Sequence, residues 1–165
     1  MNIALHGPTT VAEFLAWEER QPLRYEFDGT RPLAIAGGTL RHNRICRNIN
    51  GALDGRLRGS TCQAFGTDVK IIANNHIRYP DAFVTCSPQN EIGTVAEAPV
   101  VVFEVINNST ESIDRVDELP GYLAVPREGE TIDLPAILVE IAIDDLYEGF
   151  ETLTPQDETD HPPPG

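Results

Sequence analysis

The stretch PVVVFEVI, residues 99–106, decides the interpretation of the fold. Its almost continuous apolar character is typical of a central strand that is buried on both faces of a sheet. Glu104 interrupts the run, and an ionised carboxylate in such surroundings is costly unless a partner compensates for its lost hydration. A divalent metal, a lysine or a hydrogen-bond network would each compensate, and the residues alone leave these three open.

A second group of polar residues lies on a predicted hairpin. Asp81 belongs to a predicted strand over 78–86, which an asparagine turn joins to a strand over 68–72. The turn sets Asp68 opposite Asp81 and places Lys70 on the same face, because alternate residues of a strand share a face. The hairpin therefore predicts one polar patch that contains Lys70, the only lysine of the chain.

The other elements follow from apolar spacing and turn residues. They are a helix over 10–20, a hairpin with strands over 23–27 and 32–36, a helix over 41–57, a strand over 62–65, a helix from about 111, an apolar stretch over 132–143 and a helical turn over 144–150. This order predicts a mixed α/β (α+β) fold in a single domain over 1–150. The acidic, proline-rich residues 151–165 are expected to form a disordered tail.

The charge of the chain is large but unevenly distributed. The 165 residues carry a formal −14, which argues against a protein that coats nucleic acid over its whole surface. Residues 31–78 nevertheless hold eight basic and two acidic side chains, a local +6. Arg41, Arg44 and Arg47 of the predicted helix over 41–57 are therefore a candidate nucleic-acid-binding face, although arginines on a helix commonly serve only as a solvated surface.

Cysteine usage and hydropathy bear on the compartment. Cys46, Cys62 and Cys86 are odd in number and lack CxxC spacing, which predicts free thiols in a reducing cytoplasm and neither a disulfide framework nor a zinc knuckle. The N-terminus lacks a signal-peptide pattern, and the longest apolar run is too short to cross a membrane. We therefore expect a cytoplasmic domain with no membrane partner.

The chain resembles the Uma2 family, also called DUF820, of restriction-endonuclease-like proteins in the PD-(D/E)XK nuclease superfamily. The resemblance implies a restriction-endonuclease-like core, with a mixed central sheet flanked by helices. The segments that carry it, in order, are TVAEFLAWEE (10–19), YEFDG (25–29), RHNRI (41–45), FGTDVKI (65–71), YPDAFVTC (79–86), PVVVFEVINNSTESIDR (99–115) and DDLYEGF (144–150).

The resemblance also implies a DNA endonuclease that uses Mg²⁺ to hydrolyse phosphodiester bonds. Asp81 matches the acid of the PD half-motif and Glu104 the acid of the (D/E)XK half-motif, so both would hold the metal. Glu26 is similar to the first acid of such sites and would complete or orient the metal shell. Lys70 would position the nucleophile or stabilise the phosphate in the transition state.

Three departures from the family pattern keep other hypotheses open. Ile106 stands where the (D/E)XK lysine would be, Glu118 stands where relatives often carry a lysine, and a C-terminal strand pair is expected to be lacking. The chain is then either an active endonuclease, an inactive relic that binds nucleic acid, or a protein-interaction module. The third hypothesis includes a homodimer formed through an exposed sheet edge.

Overall fold

A computed structural model describes residues 7–35, 37–105 and 131–148. The helices are α1 (Val11–Glu18), α2 (Leu40–Leu57) and α3 (Ile143–Leu146), and the strands are β1 (Tyr25–Phe27), β2 (Pro32–Ala34), β3 (Gln63–Gly66), β4 (Lys70–Ala73), β5 (His76–Arg78), β6 (Ala82–Thr85), β7 (Val95–Ala96), β8 (Pro99–Phe103), β9 (Thr131–Leu134) and β10 (Val139–Ala142). The mixed α/β class is thereby confirmed. The predicted helix from about 111, Ile106, Glu118 and the tail over 151–165 lie outside the described residues.

The described strands form three sheets. The largest has the order β2-β1-β5-β4-β7, in which β4 and β7 run parallel and the other pairs are antiparallel. The second is antiparallel, with the order β3-β6-β8. The strands β9 and β10 pair by themselves. In the described part of the chain, no helix is long and apolar enough to cross a membrane.

The helix α2 supplies the largest apolar surface of the core. Its residues Ile45, Ile49, Leu53 and Leu57 recur every four positions and are all buried, as the sequence predicts. They pack against the inner faces of β6, β8 and the β9–β10 hairpin. Because the stripe fixes the rotation of α2 about its axis, it also decides which side chains of the helix point away from this core.

The prediction of one continuous strand over 78–86 is wrong. The register of β4 and β5 is the one expected, with Ile71 opposite Arg78, but the chain then leaves this sheet and β6 begins in the other one. Pro80 explains the break, because it has no N–H with which to continue a ladder. Asp68 consequently does not face Asp81; it is exposed and forms an ion pair with Arg24 at 2.8 Å.

The predicted strand over 99–106 is observed as β8, Pro99–Phe103. Within the described residues β8 pairs with β6 alone and lies at the edge of its sheet. Val101 is buried, but Val100 is 36% exposed. The middle strand is β6, whose four residues are all buried. A short apolar run does not distinguish an edge strand from a central one, because that difference depends on which strands pair with it.

A C-terminal strand pair is present, contrary to expectation. The strands β9 and β10 form an antiparallel hairpin directly before α3, with Leu134 opposite Val139. The sequence conceals this hairpin because its connection, residues 135–138, is mostly apolar and offers Pro135 as its single turn residue. Leu138 nevertheless adopts the left-handed conformation, with φ of 56°.

Two of the three cysteines form a disulfide, which the sequence analysis did not expect. The ladder between β3 and β6 sets Gln63 opposite Thr85, so that the next residues outward are Cys62 and Cys86. These two residues are bonded. Cys46 is the free, buried thiol. Because the partners are 24 residues apart in sequence, only the strand register brings them together.

Candidate functional site

A polar cleft of about 650 Å³ lies beside the amino-terminal half of α2. One wall comes from the end of α1 and the segment that follows it, including Glu18 and Arg24. The opposite side comes from the first turns of α2, and Lys70 and Asp81 complete the lining. The cleft therefore contains both acidic and basic side chains from several separate segments.

Asp81 is held firmly at the crossover between the two larger sheets. Its side chain is mostly buried, and its Oδ2 accepts a hydrogen bond of 2.7 Å from the backbone N–H of Val105. His42 Nε2 lies 3.2 Å from the same oxygen. These contacts fix the position of a carboxylate that would otherwise be costly to bury.

Glu104 lies next to Asp81 through the strand register. In the β6–β8 ladder Ala82 is opposite Phe103, so the preceding residue of one strand and the following residue of the other meet at the same end. The hydrogen bond from the Val105 backbone N–H to the Asp81 carboxylate places the residue after Glu104 in contact with Asp81. The register thus sets the backbone positions of Asp81 and Glu104 opposite one another, and their assignment as metal ligands stays a prediction.

Lys70 lines the cleft, but its charge is paired with an acid that the sequence analysis missed. Its Nζ lies 2.7 Å from Glu18 Oε2, and the two side chains are only 12% and 6% exposed. The Tyr79 hydroxyl donates to Glu18 Oε1 at 2.9 Å, and burial, reinforced by Glu18, raises the pKa of Tyr79. Glu18 follows Phe14 by four positions, so helical spacing already placed it on the inward face of α1.

Glu26 is not among the described residues that line the cleft, but it contacts one of them, Tyr79. Its Oε1 accepts a 2.9 Å hydrogen bond from the backbone N–H of Tyr79, and its Oε2 is 3.5 Å from Arg78 Nη1. Glu26 therefore supports the chain two residues before Asp81. Its assignment as a catalytic residue stays a prediction.

The three arginines selected as a nucleic-acid-binding face are all exposed on α2. None of them is among the described residues that line the cleft. Arg44 and Arg47 follow one another at helical spacing and lie away from the buried stripe of α2. The structure thus leaves Arg41, Arg44 and Arg47 accessible to a large ligand, while their role stays a prediction.

His42 and Cys46 form a cluster with Asp81 that the sequence analysis did not identify. They are one turn apart on α2, and Cys46 Sγ lies 3.5 Å from His42 Nδ1. One potential ligand atom from each of the three residues lies within 4.8 Å of the other two. Burial, followed by the charge of Asp81, raises the pKa of the Cys46 thiol to about 12. The sequence feature that could have revealed this cluster is the i, i+4 spacing of a histidine and a cysteine on a predicted helix.

The mixed α/β fold, with Asp81 buried in a polar cleft, fits the class of protein that the sequence resembles, the restriction-endonuclease-like proteins. The model of the Uma2 family, described as "Putative restriction endonuclease", matches residues 11–163. The chain therefore belongs to the Uma2 family. The resemblance found in the sequence is confirmed, and family and fold together indicate a restriction-endonuclease-like nuclease.

Similar proteins are found among both curated sequences and solved structures. The chain is 33% identical over 138 residues to "Uncharacterized protein slr1290" of Synechocystis sp., a match that covers 82% of this chain and 71% of that protein. It is 25% identical over 132 residues to "Uncharacterized protein sll1609" of the same organism, with coverage of 77% and 75%.

The structural likeness is to a crystal structure from Anabaena variabilis, described as "a putative nuclease belonging to DUF820". The TM-score is 0.64 at 16% identity, and the match covers 85% of this chain and 98% of that one. At this identity the likeness establishes the fold alone.

Proposed function

We propose that this chain is an endonuclease that hydrolyses phosphodiester bonds of DNA with the help of Mg²⁺. The observation that supports the proposal best is that Asp81 lines a cleft that also contains Lys70 and, by the β6–β8 register, stands opposite Glu104. Family membership indicates the reaction class, and DNA is the substrate proposed from it. The cytoplasm stays a prediction, and the Cys62–Cys86 bond removes the free-thiol argument for it.

The donor chemistry of the two acids fits Mg²⁺. Carboxylate oxygens are the hard ligands that this ion prefers, and Asp81 and Glu104 would supply them from positions just beyond the paired ends of β6 and β8. When bound, the ion would acidify a water molecule and offset negative charge on the scissile phosphate. The hydrogen bond from Val105 N–H orients Asp81 for this role before any ligand is present.

The basic side chains of the cleft would act on the phosphate. Lys70 and Arg24 both line the cleft, and a buried ammonium attracts an anion more strongly than one in bulk water does. Glu18 holds the Lys70 ammonium in place through the 2.7 Å ion pair. We assign Lys70 the electrostatic role and Glu18 the positioning role. Glu26 is then a further positioning residue, because it binds the Tyr79 backbone ahead of Asp81.

Nicking of supercoiled plasmid DNA in the presence of Mg²⁺ tests the proposal. We expect Asp81→Asn and Glu104→Gln to reduce the nicking rate on the order of a hundredfold or more, because each removes a charged oxygen ligand. Asp54→Asn is the matched control, since Asp54 is exposed on α2 and does not line the cleft. Equal rates in the wild type and the folded Asp81→Asn variant would refute the assignment.

A second candidate function is DNA binding without cleavage. The observations that favour it are the exposed arginines of α2 and Ile106 in place of the half-motif lysine. This function predicts affinity that falls steeply with salt and that drops in an Arg44→Gln/Arg47→Gln variant. Arg20→Gln, which changes an exposed arginine outside α2, is the control. Salt-independent affinity would exclude this function, and the homodimer through a sheet edge stays a prediction.

A further inference from the structure

The cluster of His42, Cys46 and Asp81 contains donors that a magnesium nuclease does not need. Mg²⁺ prefers oxygen ligands and has little affinity for a thiol sulfur. An imidazole, a thiol and a carboxylate whose donor atoms lie within 4.8 Å of one another are instead the ligand types that bind Zn²⁺ and related ions. The donor atoms of the cluster, which include nitrogen and sulfur, therefore differ from the oxygen donors of Asp81 and Glu104.

The local structure holds these donors in place. Thr39 caps α2 by accepting a 3.1 Å hydrogen bond from the backbone N–H of His42, which fixes the start of the helix. Gly38 leaves room for the imidazole, because a Cβ there would lie 2.8 Å from His42 Nδ1. Cys46 is only 5% exposed as a residue, yet it belongs to the cleft lining. A small ion can therefore approach this thiol from the cleft.

We infer that His42, Cys46 and Asp81 form a binding site for a thiophilic divalent transition-metal ion of the Zn²⁺ or Co²⁺ type. The site goes beyond the proposed nuclease function, because its binding requires neither DNA nor cleavage. Asp81 belongs to both donor sets, so a bound transition ion draws on the same carboxylate that is proposed for Mg²⁺. Three protein ligands leave at least one coordination position open to the cleft.

Titration of the wild-type protein with Co²⁺, without reductant and without DNA, tests the inference. A cobalt–thiolate bond gives a sulfur-to-metal charge-transfer band in the near ultraviolet, and we expect such a band to saturate at one ion per chain. We expect it to persist in a large excess of Mg²⁺, which does not compete for sulfur. A wild-type protein that shows no band would overturn the inference without recourse to any variant.

Variants assign the band to its ligands. Cys46→Ser should abolish it, and His42→Gln should weaken Co²⁺ affinity at least about tenfold, because each removes a direct ligand. The double variant Cys62→Ser/Cys86→Ser should retain the band, since its only remaining thiol is Cys46. A band that survives Cys46→Ser, with folding verified by circular dichroism, would show an adventitious thiol and refute the site.

Glu104→Gln separates this site from the proposed nuclease. The substitution removes a proposed Mg²⁺ ligand but none of the three donors of the cluster. We expect the cobalt band to remain while Mg²⁺-dependent nicking is lost. If the wild type nicks no DNA at all, the cobalt titration still decides the question, and loss of the band in Glu104→Gln would contradict the three-ligand assignment.

Discussion

The pair formed by Lys70 and Glu18 shows how strongly one buried acid can define the environment of a cation. Glu18 accepts from Lys70, from the Tyr79 hydroxyl and from the backbone N–H of Tyr25, so each of its oxygens has a partner. The charge of Lys70 is balanced at a position where its side chain is only 12% exposed. The only lysine of the chain is therefore preorganised beside the cleft.

Removal of Lys70 should destabilise the fold. We expect Lys70→Met to lower the free energy of unfolding by about 3 kcal/mol, because Glu18 would be left buried with an uncompensated charge. The double variant Glu18→Gln/Lys70→Met should recover part of this loss. Urea denaturation measures the change, and Asp68→Asn, which breaks the exposed ion pair with Arg24, should cost less than about 1 kcal/mol. Equal effects of Lys70→Met and Asp68→Asn would contradict the role of burial.

The Cys46 thiol should make stability depend on pH in the alkaline range. Burial raises its pKa from the ordinary 9.0 to about 12, so the folded state disfavours the thiolate that the unfolded state forms freely. The contribution of the protonated thiol to the free energy of unfolding is complete below pH 9 and is lost as the pH rises from 9 towards 12. In urea denaturation the wild type should therefore lose stability over this interval faster than Cys46→Ser. Parallel pH profiles of the two proteins would contradict the raised pKa.

At the scale of elements, α2 links the core to the cleft. Its buried stripe packs on β6 and β8, while its first turns present His42 and Cys46 to Asp81. The same rotation of the helix that buries the stripe therefore sets the direction of these polar side chains. A change at the start of α2 should alter the site without disturbing the core.

Substitutions of Gly38 and Gly37 test whether a change at the start of α2 alters the site. We expect Gly38→Ala to displace the His42 imidazole, because the added Cβ would lie 2.8 Å from Nδ1, whereas a Cβ at Gly37 meets nothing within 4 Å. Histidine signals in NMR spectra report the displacement, and the cobalt affinity should fall in Gly38→Ala alone. The same response in Gly37→Ala would indicate a general effect of glycine replacement and not a contact with His42.

The break between β5 and β6 is the second element that defines the site. Pro80 ends the ladder of one sheet, and Asp81 stands where the chain enters the other. This crossover places Asp81 beside Val105 and α2 at once. A continuous strand over 78–86 would have directed Asp81 towards Asp68, where no described metal-binding group exists.

At the scale of the whole molecule, the Cys62–Cys86 bond closes a loop that contains β3, β4, β5 and β6, and with them Lys70, Tyr79 and Asp81 of the cleft lining. Reduction of this bond should lower the free energy of unfolding by about 3 kcal/mol, as expected for a loop of this length. Thermal unfolding with and without reductant measures the loss. The variant Cys62→Ser/Cys86→Ser is the control and should not respond to reductant. A wild-type midpoint that reductant leaves unchanged would contradict the bond.

The charge of the molecule is divided in a way that suits the proposed substrate. The total of −14 repels DNA, but the segment over 31–78, which includes α2 and Lys70, carries +6. Opposite charges that are segregated in this way permit a local basic surface within an acidic protein. The net repulsion favours weak association that is strongly sensitive to salt.

The sequence by itself determined several local elements. The stripe of α2 and the first hairpin are encoded by neighbouring residues, because burial and turns leave a periodic pattern in the chain. Asp81 and Glu104 were selected as metal ligands through the family resemblance, and that assignment stays a prediction. Family membership followed from the same segments. The C-terminal hairpin of β9 and β10 was not predicted, because the connection between the two strands is mostly apolar.

Only the tertiary structure decided the partners of these residues. Lys70 pairs with Glu18 from 52 positions away, Cys62 bonds to Cys86, and His42 approaches Asp81 from 39 positions away. No local pattern encodes such contacts, because they depend on strand register, on the crossover at Pro80 and on the rotation of α2 against the sheets. Asp81 could be selected as a candidate from the chain, whereas the thiol of Cys46 and the imidazole of His42 are brought beside it by packing.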